Sequence, residues 1–300
     1  MHASTLQMLR CPDCGGSPVA ARGSDVHEDR VEDAVLTCPD CGAQYPIQEG
    51  IAQMLPKDLR APAEAPACSD EGPTGSAALP EPEEAAIRKR SEMLARDAQV
   101  QQYDRMWHLA LFGLAEIPAT LLHLSLEPHH TLLEAGCGTG RMTPHFAARC
   151  RHLVAVDFSL KSLKVCAAKL RARRLNNVDL VQADLCSLPF ASETFHRVAS
   201  CQVIEHVPTP SARAAAVAEM HRVLRTEGVA AVSAYRYAFP MNLLAPKQGE
   251  HEGGIPFIRF TREEILDLLS SSFAVHSITG ALLYHYIARC VKVPNIGSSH

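Results

Sequence analysis

The sequence lacks the features that define several large classes of protein. None of its apolar stretches approaches the roughly 18–20 residues that a membrane-spanning helix needs, and its first residues do not form the apolar core of a signal peptide. Aromatic residues make up only 5% of the chain, and they do not alternate with basic residues as side chains that stack on RNA bases would. The net charge of −4 provides no overall attraction to nucleic acid. We therefore expect no membrane span and no general affinity for nucleic acid.

The eleven cysteines do not suggest a disulfide framework. Their number is odd, and most of them stand alone in segments whose composition is that of a buried core. This usage is typical of a reducing compartment, so we expect a cytoplasmic protein. With 47% hydrophobic and 21% charged residues, the chain can bury a sizeable core.

Charge and composition divide the chain into three regions. Residues 1–57 carry four basic and eight acidic side chains, whereas residues 84–300 carry 24 basic and 19 acidic side chains. The stretch between them is rich in Pro, Ala, Glu and Ser, and it has almost no large apolar residues whose burial could offset the entropy of ordering. We predict a small N-terminal domain over residues 1–57, a flexible linker over 58–83 and a larger domain over 84–300.

In the C-terminal region, short β-like runs alternate with helical ones. Two helical stretches come first, at about 85–111 and 117–124. The predicted strands lie at 131–134, 153–157, 178–183, 197–201 and 228–234, and the predicted helices that follow lie at 141–148, 160–172, 214–224 and 261–269. Alternation at this spacing predicts an α/β fold, in which a parallel sheet carries helices on both faces.

Four cysteines near the N-terminus form a pattern typical of a metal site. Cys11, Cys14, Cys38 and Cys41 belong to two Cys-Pro-Asp-Cys-Gly motifs, with 23 residues between the pairs. Two thiolates separated by two residues can bind one ion, and the following glycine allows the tight turn that points backbone N–H groups at sulfur. Two such pairs complete a tetrahedral site of four sulfurs, which favours zinc. Because protein ligands take all four positions, we expect a structural zinc ion.

The residues around these cysteines carry a resemblance to a known family. The segment from about 7 to 57, with its Tyr45-Pro46-Ile47 run and its Met54-Leu55 ending, resembles the small zinc-ribbon activator subunits of tRNA and protein methyltransferases. The resemblance implies a module that docks on a methyltransferase and that is here fused to one.

A glycine-rich segment, Glu134-Ala135-Gly136-Cys137-Gly138-Thr139-Gly140, ends a predicted strand and precedes a helix. Glycines at such a turn let the backbone approach a ligand closely. The dinucleotide-binding pattern would need a glycine at position 141, where this chain has Arg141. The segment instead resembles motif I of class I S-adenosylmethionine (SAM) methyltransferases.

Later residues extend this resemblance over about 97–290. Asp157 ends the second predicted strand, where a carboxylate can accept hydrogen bonds from both hydroxyls of a ribose. Asp184 and Leu185 follow the third strand, where the family binds the adenine amino group. The match is closest to the broad type 11 methyltransferases, which include ubiquinone and menaquinone C-methyltransferases. It implies a Rossmann-like, seven-stranded methyltransferase domain preceded by the zinc ribbon and the linker.

The resemblance also implies a set of SAM-binding residues. Ten of them belong to the sheet domain: Glu134, Gly136, Cys137, Gly138, Gly140, Asp157, Phe158, Asp184, Leu185 and Cys201. Tyr103 and Trp107 lie on the preceding helix, which forms a lid over SAM in the family and which could equally bury its aromatic residues in the core. Arg141 either meets the carboxylate of SAM or lies in solvent.

Three interpretations remain open for Glu205 and His206, which follow the fourth predicted strand. His206 could act as a general base that Glu205 orients. The pair could also be structural. In a third interpretation it binds a divalent ion, as the E-x-x-E-H motif of some O-methyltransferases does, although Gln202 replaces the first glutamate here.

The sequence supports three functions. The first is a methyltransferase for a small-molecule acceptor with a structural zinc ribbon. The second is an rRNA or tRNA methyltransferase, which the negative charge of the N-terminal region disfavours because the ribbon would repel a phosphate backbone. The third is a SAM-binding adaptor without catalytic activity, which would use the ribbon to bind a protein partner. The oligomeric state and the atom that is methylated are not evident from the sequence.

Overall fold

The computed structural model describes residues 1–20, 26–27, 30–60, 81–103, 107–251, 254–281 and 283–294. The strands in this part of the chain are β1 Val19–Ala20, β2 Val26–His27, β3 Arg30–Val31, β4 Ala34–Thr37, β5 Gln44–Gln48, β6 Ile51–Gln53, β7 Thr131–Ala135, β8 His152–Asp157, β9 Val178–Gln182, β10 Phe195–Cys201, β11 Leu224–Tyr235, β12 Gln248–His251, β13 Ile255–Ile258, β14 Ala274–Ala281 and β15 His285–Val291. The helices are α1 Ala3–Met8, α2 Lys57–Arg60, α3 Glu81–Tyr103, α4 Trp107–Leu124, α5 Thr143–Ala147, α6 Leu160–Ala172, α7 Pro210–Val223, α8 Met241–Leu244 and α9 Arg262–Ser270, with a short 3-10 helix over Ile204–His206.

One eleven-stranded sheet organises the molecule, in the order β1-β4-β5-β6-β9-β8-β7-β10-β11-β15-β14. Strands β9, β8, β7, β10 and β11 run parallel, and β15 pairs antiparallel with both β11 and β14. These seven strands form the predicted Rossmann-like sheet, so the α/β prediction is confirmed. In the described part of the chain, no helix is long and apolar enough to cross a membrane.

The N-terminal region extends this sheet. Strand β6 pairs parallel with β9, in a register that places Ile51 opposite Leu180 and Gln53 opposite Gln182. The Met54 N–H continues the pairing by donating to the Gln182 carbonyl at 2.7 Å. Because β9 would otherwise be an edge strand with unpaired backbone groups, the added strand satisfies them and protects that edge.

A shared apolar core supports the same junction. Leu9, Tyr45 and Met54 are buried in one cluster with Val181 and Phe190. Backbone hydrogen bonds also join the two regions, from the Arg10 N–H to the Pro189 carbonyl at 2.9 Å and from the Ala191 N–H to the Met8 carbonyl at 2.9 Å. The ribbon therefore packs on the methyltransferase-like sheet through both backbone pairing and side-chain burial.

The predicted elements differ from the structure mainly at their ends. The helical stretch predicted at 85–111 is divided between α3, which begins at Glu81, and α4, which begins at Trp107. The predicted linker over 58–83 overlaps α2 at one end and α3 at the other, and its residues 61–80 lie outside the described part of the chain. Thr261 and Glu264 form a capping box at the start of α9, which begins within one residue of the predicted helix.

Asp179, a carboxylate buried within β9, anchors the first residues of the chain. It accepts hydrogen bonds from the His2 N–H at 3.0 Å and the Thr5 hydroxyl at 2.6 Å, and the His152 ring nitrogen lies 3.3 Å away. Burial alone would raise the pKa of Asp179, but the hydrogen bonds from His152, His2 and Thr5 outweigh burial and lower the pKa. The ionised carboxylate therefore stabilises the junction.

Replacing this carboxylate should weaken the fold in a pH-dependent manner. We expect Asp179→Asn to lower the free energy of unfolding at pH 7 by about 3 kcal/mol, because buried donors lose a charged acceptor. A lowered pKa in the folded state contributes stability above the unfolded value of about 3.9, and this contribution declines as the pH falls below it. Urea unfolding should therefore show that the free energies of unfolding of Asp179→Asn and the wild type differ less at pH 3 than at pH 7.

Asp267→Asn provides a matched control for that experiment. Asp267 is an exposed residue of α9, so its change should leave the free energy of unfolding within about 0.5 kcal/mol of wild type. Equal stability of the Asp179→Asn protein and the wild type at pH 7 would contradict the anchoring role.

Candidate functional site

A cavity that is partly open to solvent lies at the carboxyl ends of β7, β8, β9 and β10. Loops that follow these strands line it together with helix α3 and the start of β13. Nine of the predicted cofactor-binding residues are among its lining residues: Glu134, Gly136, Cys137, Gly138, Asp157, Phe158, Asp184, Leu185 and Cys201. The carboxyl edge of a parallel sheet is where ligands bind in folds of this kind.

The glycine loop after β7 has room for a ligand at one position only. Gly136 and Gly140 have φ values of +87° and +84°. A Cβ at position 136 would come within 2.3 Å of Val203, and a Cβ at position 140 would come within 2.7 Å of Cys166. Gly138 also has a positive φ, of +53°, but nothing lies within 4 Å of the place where its Cβ would stand. Gly136 and Gly140 therefore allow close packing behind the loop, while Gly138 leaves open space beside it.

Asp157 supports the loop from the end of β8. Its carboxylate accepts the Gly138 N–H at 2.8 Å and the Ser159 N–H at 2.9 Å. Burial raises the pKa of Asp157, while these two backbone bonds act against that rise. Each carboxylate oxygen has a second lone pair, so the side chain can accept further hydrogen bonds from the cavity.

Asp184, after β9, forms an ion pair with a residue that the sequence analysis did not predict to lie in the site. The Lys89 ammonium of α3 lies 2.6 Å from one oxygen of Asp184, and the Cys186 N–H donates to the other at 3.0 Å. Lys89 stands 95 positions before Asp184 in the chain. No local motif links the two residues, so the pattern of the sequence offers no signal for this contact.

Helix α3 provides one wall of the cavity. Glu92, Arg96, Gln99 and Val100 line it next to Lys89. Glu92 and Arg96 form an ion pair at 3.1 Å, and burial raises the pKa of Glu92 to about 7. The prediction for Tyr103 and Trp107 concerns side chains that lie outside the described part of the chain.

Two acidic side chains lie beneath the loop. Glu134 is buried, its Oε2 atom has no hydrogen-bond partner, and burial raises its pKa well above the usual value. Glu116 of α4 forms an ion pair with Arg141 at 2.9 Å and accepts from the Ser233 hydroxyl at 2.7 Å. Arg141 therefore pairs with a buried carboxylate of the protein. The sequence analysis had expected it either to meet the carboxylate of SAM or to lie in solvent.

His206 faces the cavity in a defined orientation. Its Nδ1 atom lies 2.8 Å from the Pro256 carbonyl of β13. Because a carbonyl only accepts, Nδ1 carries the proton and Nε2 is left with its lone pair. Burial, reinforced by the positive charge of Arg96, lowers the pKa of His206 well below its usual value. The imidazole is therefore neutral at pH 7 and can accept a proton at Nε2.

Glu205 does not orient His206 as the sequence interpretation expected. The Pro256 carbonyl takes that role, while both carboxyl oxygens of Glu205 are buried without a hydrogen-bond partner. Burial raises the pKa of Glu205 to about 8, so the group is mostly protonated at pH 7. Gln202 donates to Glu116. Among the described residues, the clusters with metal-binding geometry do not include Glu205 or His206.

The four N-terminal cysteines come together as predicted. The sulfurs of Cys11 and Cys41 are 3.6 Å apart, and those of Cys14 and Cys38 are 3.5 Å apart. A tetrahedral ZnS4 centre with bonds of about 2.3 Å has sulfur–sulfur separations of about 3.8 Å. After each pair, Gly15 or Gly42 takes a positive φ and closes a turn onto the first cysteine of its motif. The cluster therefore fits a zinc ribbon.

Two protein families match different parts of this chain. The model described as "Methyltransferase domain", of type 11, matches residues 133–232, and the model described as "Trm112p-like protein" matches residues 2–50. The first match contains the glycine loop, Asp157 and Asp184, and the second contains all four cysteines of the cluster.

Individual relatives agree with the first match. A demethylmenaquinone methyltransferase from Renibacterium salmoninarum is 32% identical over 110 residues, which are 37% of this chain and 43% of that protein. Methyltransferase GfsG from Streptomyces halstedii is 30% identical over 112 residues, which are 37% of this chain and 39% of that protein. The chain thus spans less than half the length of the curated relatives that it matches.

A solved structure shares the fold. The Burkholderia thailandensis 1,6-didemethyltoxoflavin-N1-methyltransferase superposes with a TM-score of 0.56 at 22% identity, covering 73% of this chain and 94% of that one. Its similarity supports the seven-stranded architecture described above. Together, these matches show that the chain contains a type 11 methyltransferase domain and a Trm112p-like N-terminal domain.

Proposed function

We propose that this protein is a SAM-dependent methyltransferase that acts on a small-molecule acceptor. The observation that carries the proposal is the cavity at the carboxyl edge of the sheet, where the open space at Gly138 lies beside the carboxylate of Asp157. The curated relatives named above are methyltransferases, which supports the same activity.

The residues of this cavity suit the parts of SAM. Asp157 has lone pairs available for the two ribose hydroxyls, and Asp184 with Leu185 would receive the adenine. The space beside Gly138 leaves the backbone open to the ligand. Glu134, whose Oε2 atom has no partner, would accept from the amino-acid end of SAM. When bound, SAM supplies a methyl carbon that is electrophilic because it is attached to a sulfonium.

The side chains of the cavity would perform the other steps of methyl transfer. They must orient the acceptor, exclude water and remove a proton where the acceptor has one. His206 has a lone pair at Nε2 and is neutral at pH 7, so it is the candidate base. Apolar walls from Val100, Val203 and Ile255 limit access of water to the same space.

The alternatives to a small-molecule enzyme find less support. An RNA acceptor is disfavoured by the excess of acidic residues in the N-terminal region. A SAM-binding adaptor that uses the ribbon to bind a protein partner finds less support, because strand β6 of the ribbon already pairs with β9 of the same chain. Incubation of the protein with SAM and separate metabolite and RNA pools, with S-adenosylhomocysteine (SAH) formation as the readout, tests these alternatives directly.

We expect about one zinc ion per chain, bound by the four cysteines of the ribbon. Cys38→Ser should lose the metal, because one of four soft ligands is removed. Cys150→Ser changes a buried thiol outside the cluster and should retain it. Elemental analysis of the purified proteins measures both, and a folded wild-type ribbon without metal would exclude the assignment.

Asp157→Ala should weaken SAM binding by about 2–4 kcal/mol, because two hydrogen bonds to a charged acceptor are lost. This corresponds to roughly 30- to 700-fold in the dissociation constant. Titration calorimetry measures the affinity, and circular dichroism checks that the loop has not unfolded, since Asp157 also holds the Gly138 and Ser159 N–H groups. Unchanged affinity in a folded variant would remove Asp157 from the site.

His206→Asn should lower turnover of the acceptor found in the screen by about 100-fold while SAM affinity stays within a few-fold. The Asn amide can still donate to the Pro256 carbonyl, so the loop is preserved and only the base is lost. In the wild type, a lowered pKa keeps the base deprotonated, so turnover should stay level from pH 8 to pH 6.5 and fall only in more acidic solution. Turnover near the wild-type rate in the variant would leave positioning as the only role of this residue.

A further inference from the structure

The two cysteine motifs of the ribbon share a sequence but differ in their contacts. Asp13, in the first motif, accepts the Lys57 N–H at 2.8 Å and the Tyr45 hydroxyl at 3.0 Å, and it forms an ion pair with Arg60. Asp40 occupies the same position in the second motif, and both aspartates are exposed. In the part of the chain that the structure describes, Asp40 makes no hydrogen bond or ion pair with α2. Among the described residues, α2 is therefore attached to the first motif through Asp13, and to the start of β5 through the Gln44 carbonyl, which accepts from Arg60 at 3.1 Å.

Tyr45 and Arg60 reinforce the attachment. The Tyr45 hydroxyl lies 3.0 Å from the sulfur of Cys11, so the same residue touches a cysteine of the cluster and Asp13. The Arg60 guanidinium lies 4.6 Å from the centre of the Tyr45 ring, a distance that favours a cation–π interaction. The position of α2 is therefore tied to the loop that the metal would close.

Helix α2 is in turn attached to the wall of the cavity. The Asp58 carbonyl of α2 accepts a hydrogen bond from Arg90 of α3. The adjacent residue, Lys89, forms the ion pair with Asp184. Direct contacts thus run from Cys11 through Asp13 and α2 to the part of α3 that lines the cavity.

We propose that Asp13 is a positioning residue through which metal occupancy of the ribbon sets the affinity of the cavity for its cofactor. This proposal rests on the proposed function. Zinc would tie the Cys11 and Cys14 sulfurs to those of Cys38 and Cys41, and it would thereby hold the Cys11–Cys14 loop in one conformation, with Asp13 against α2. Without them, α3 loses the support that keeps Lys89 and Arg96 at the cavity. By linkage, the cofactor raises the affinity for zinc by the same factor by which zinc raises the affinity for the cofactor.

The repeated motif provides the test and its control. Asp13→Ala and Asp40→Ala each remove one carboxylate from a Cys-Pro-Asp-Cys-Gly loop and leave all four cysteines in place. In the full-length protein we expect about one zinc ion per chain in both variants, measured by elemental analysis. Calorimetric titration with SAH should show an affinity about five- to tenfold below wild type for Asp13→Ala and within twofold of wild type for Asp40→Ala.

Two further measurements separate coupling from general loosening. Saturating SAH should raise the zinc affinity, measured by competition with a chelator, by about the same five- to tenfold in the wild type and in Asp40→Ala but not in Asp13→Ala. Arg90→Ala breaks the same route at α3, so the double variant Asp13→Ala/Arg90→Ala should bind SAH about as weakly as either single variant.

Each contrary result has a distinct meaning. Wild-type SAH affinity in zinc-loaded Asp13→Ala would overturn the coupling, and so would an equal loss in Asp40→Ala. If the losses of SAH affinity caused by the two single changes multiply in the double variant, the two residues act independently, and the route through α3 is overturned. If the wild-type protein binds no SAH at any zinc occupancy, the proposed function itself fails, and the coupling to that cavity fails with it.

Discussion

The parallel pairing of β6 with β9 is the contact on which the rest of the structure depends. Along β9, Leu180 and Gln182 face partners in β6, while Asp179 fixes His2 and Thr5. Two residues beyond the end of the strand, Asp184 faces the cavity. One strand therefore connects the anchor of the N-terminal segment, the edge of the ribbon and the candidate cofactor site, so a change in the ribbon has a short route to the site.

Much of the cavity could be predicted from the sequence because each of its groups follows the end of a predicted strand. Gly138 and Asp184 follow predicted strands and Asp157 ends one, and parallel strands bring their carboxyl ends to one edge. The cysteine spacing was equally informative, because a metal demands four ligands in a fixed geometry. Such constraints act over a few residues and leave a recognisable local pattern.

The long-range contacts at the ribbon junction and within the cavity left no such pattern. Asp179 binds His2 across 177 positions, and Lys89 reaches Asp184 across 95. Helical periodicity indicated an amphipathic segment near α3, but it could not show which residues would face the cavity, because that depends on where the helix lies in three dimensions. The adjacent residues Glu205 and His206 suggested a pair, whereas His206 bonds to the Pro256 carbonyl and the Glu205 carboxyl oxygens have no hydrogen-bond partner.

The electrostatics around His206 limit what it can do as a base. Burial and the charge of Arg96 lower its pKa, so the imidazole is available at neutral pH but holds a proton weakly. A weak base cannot deprotonate an ordinary alcohol or amine before the reaction. It can take a proton from an acidic group such as a phenol or an enol, or from a nitrogen whose proton becomes acidic as the new bond to carbon forms. Under the proposed function, a base of this kind therefore suits acceptors whose leaving proton is acidic.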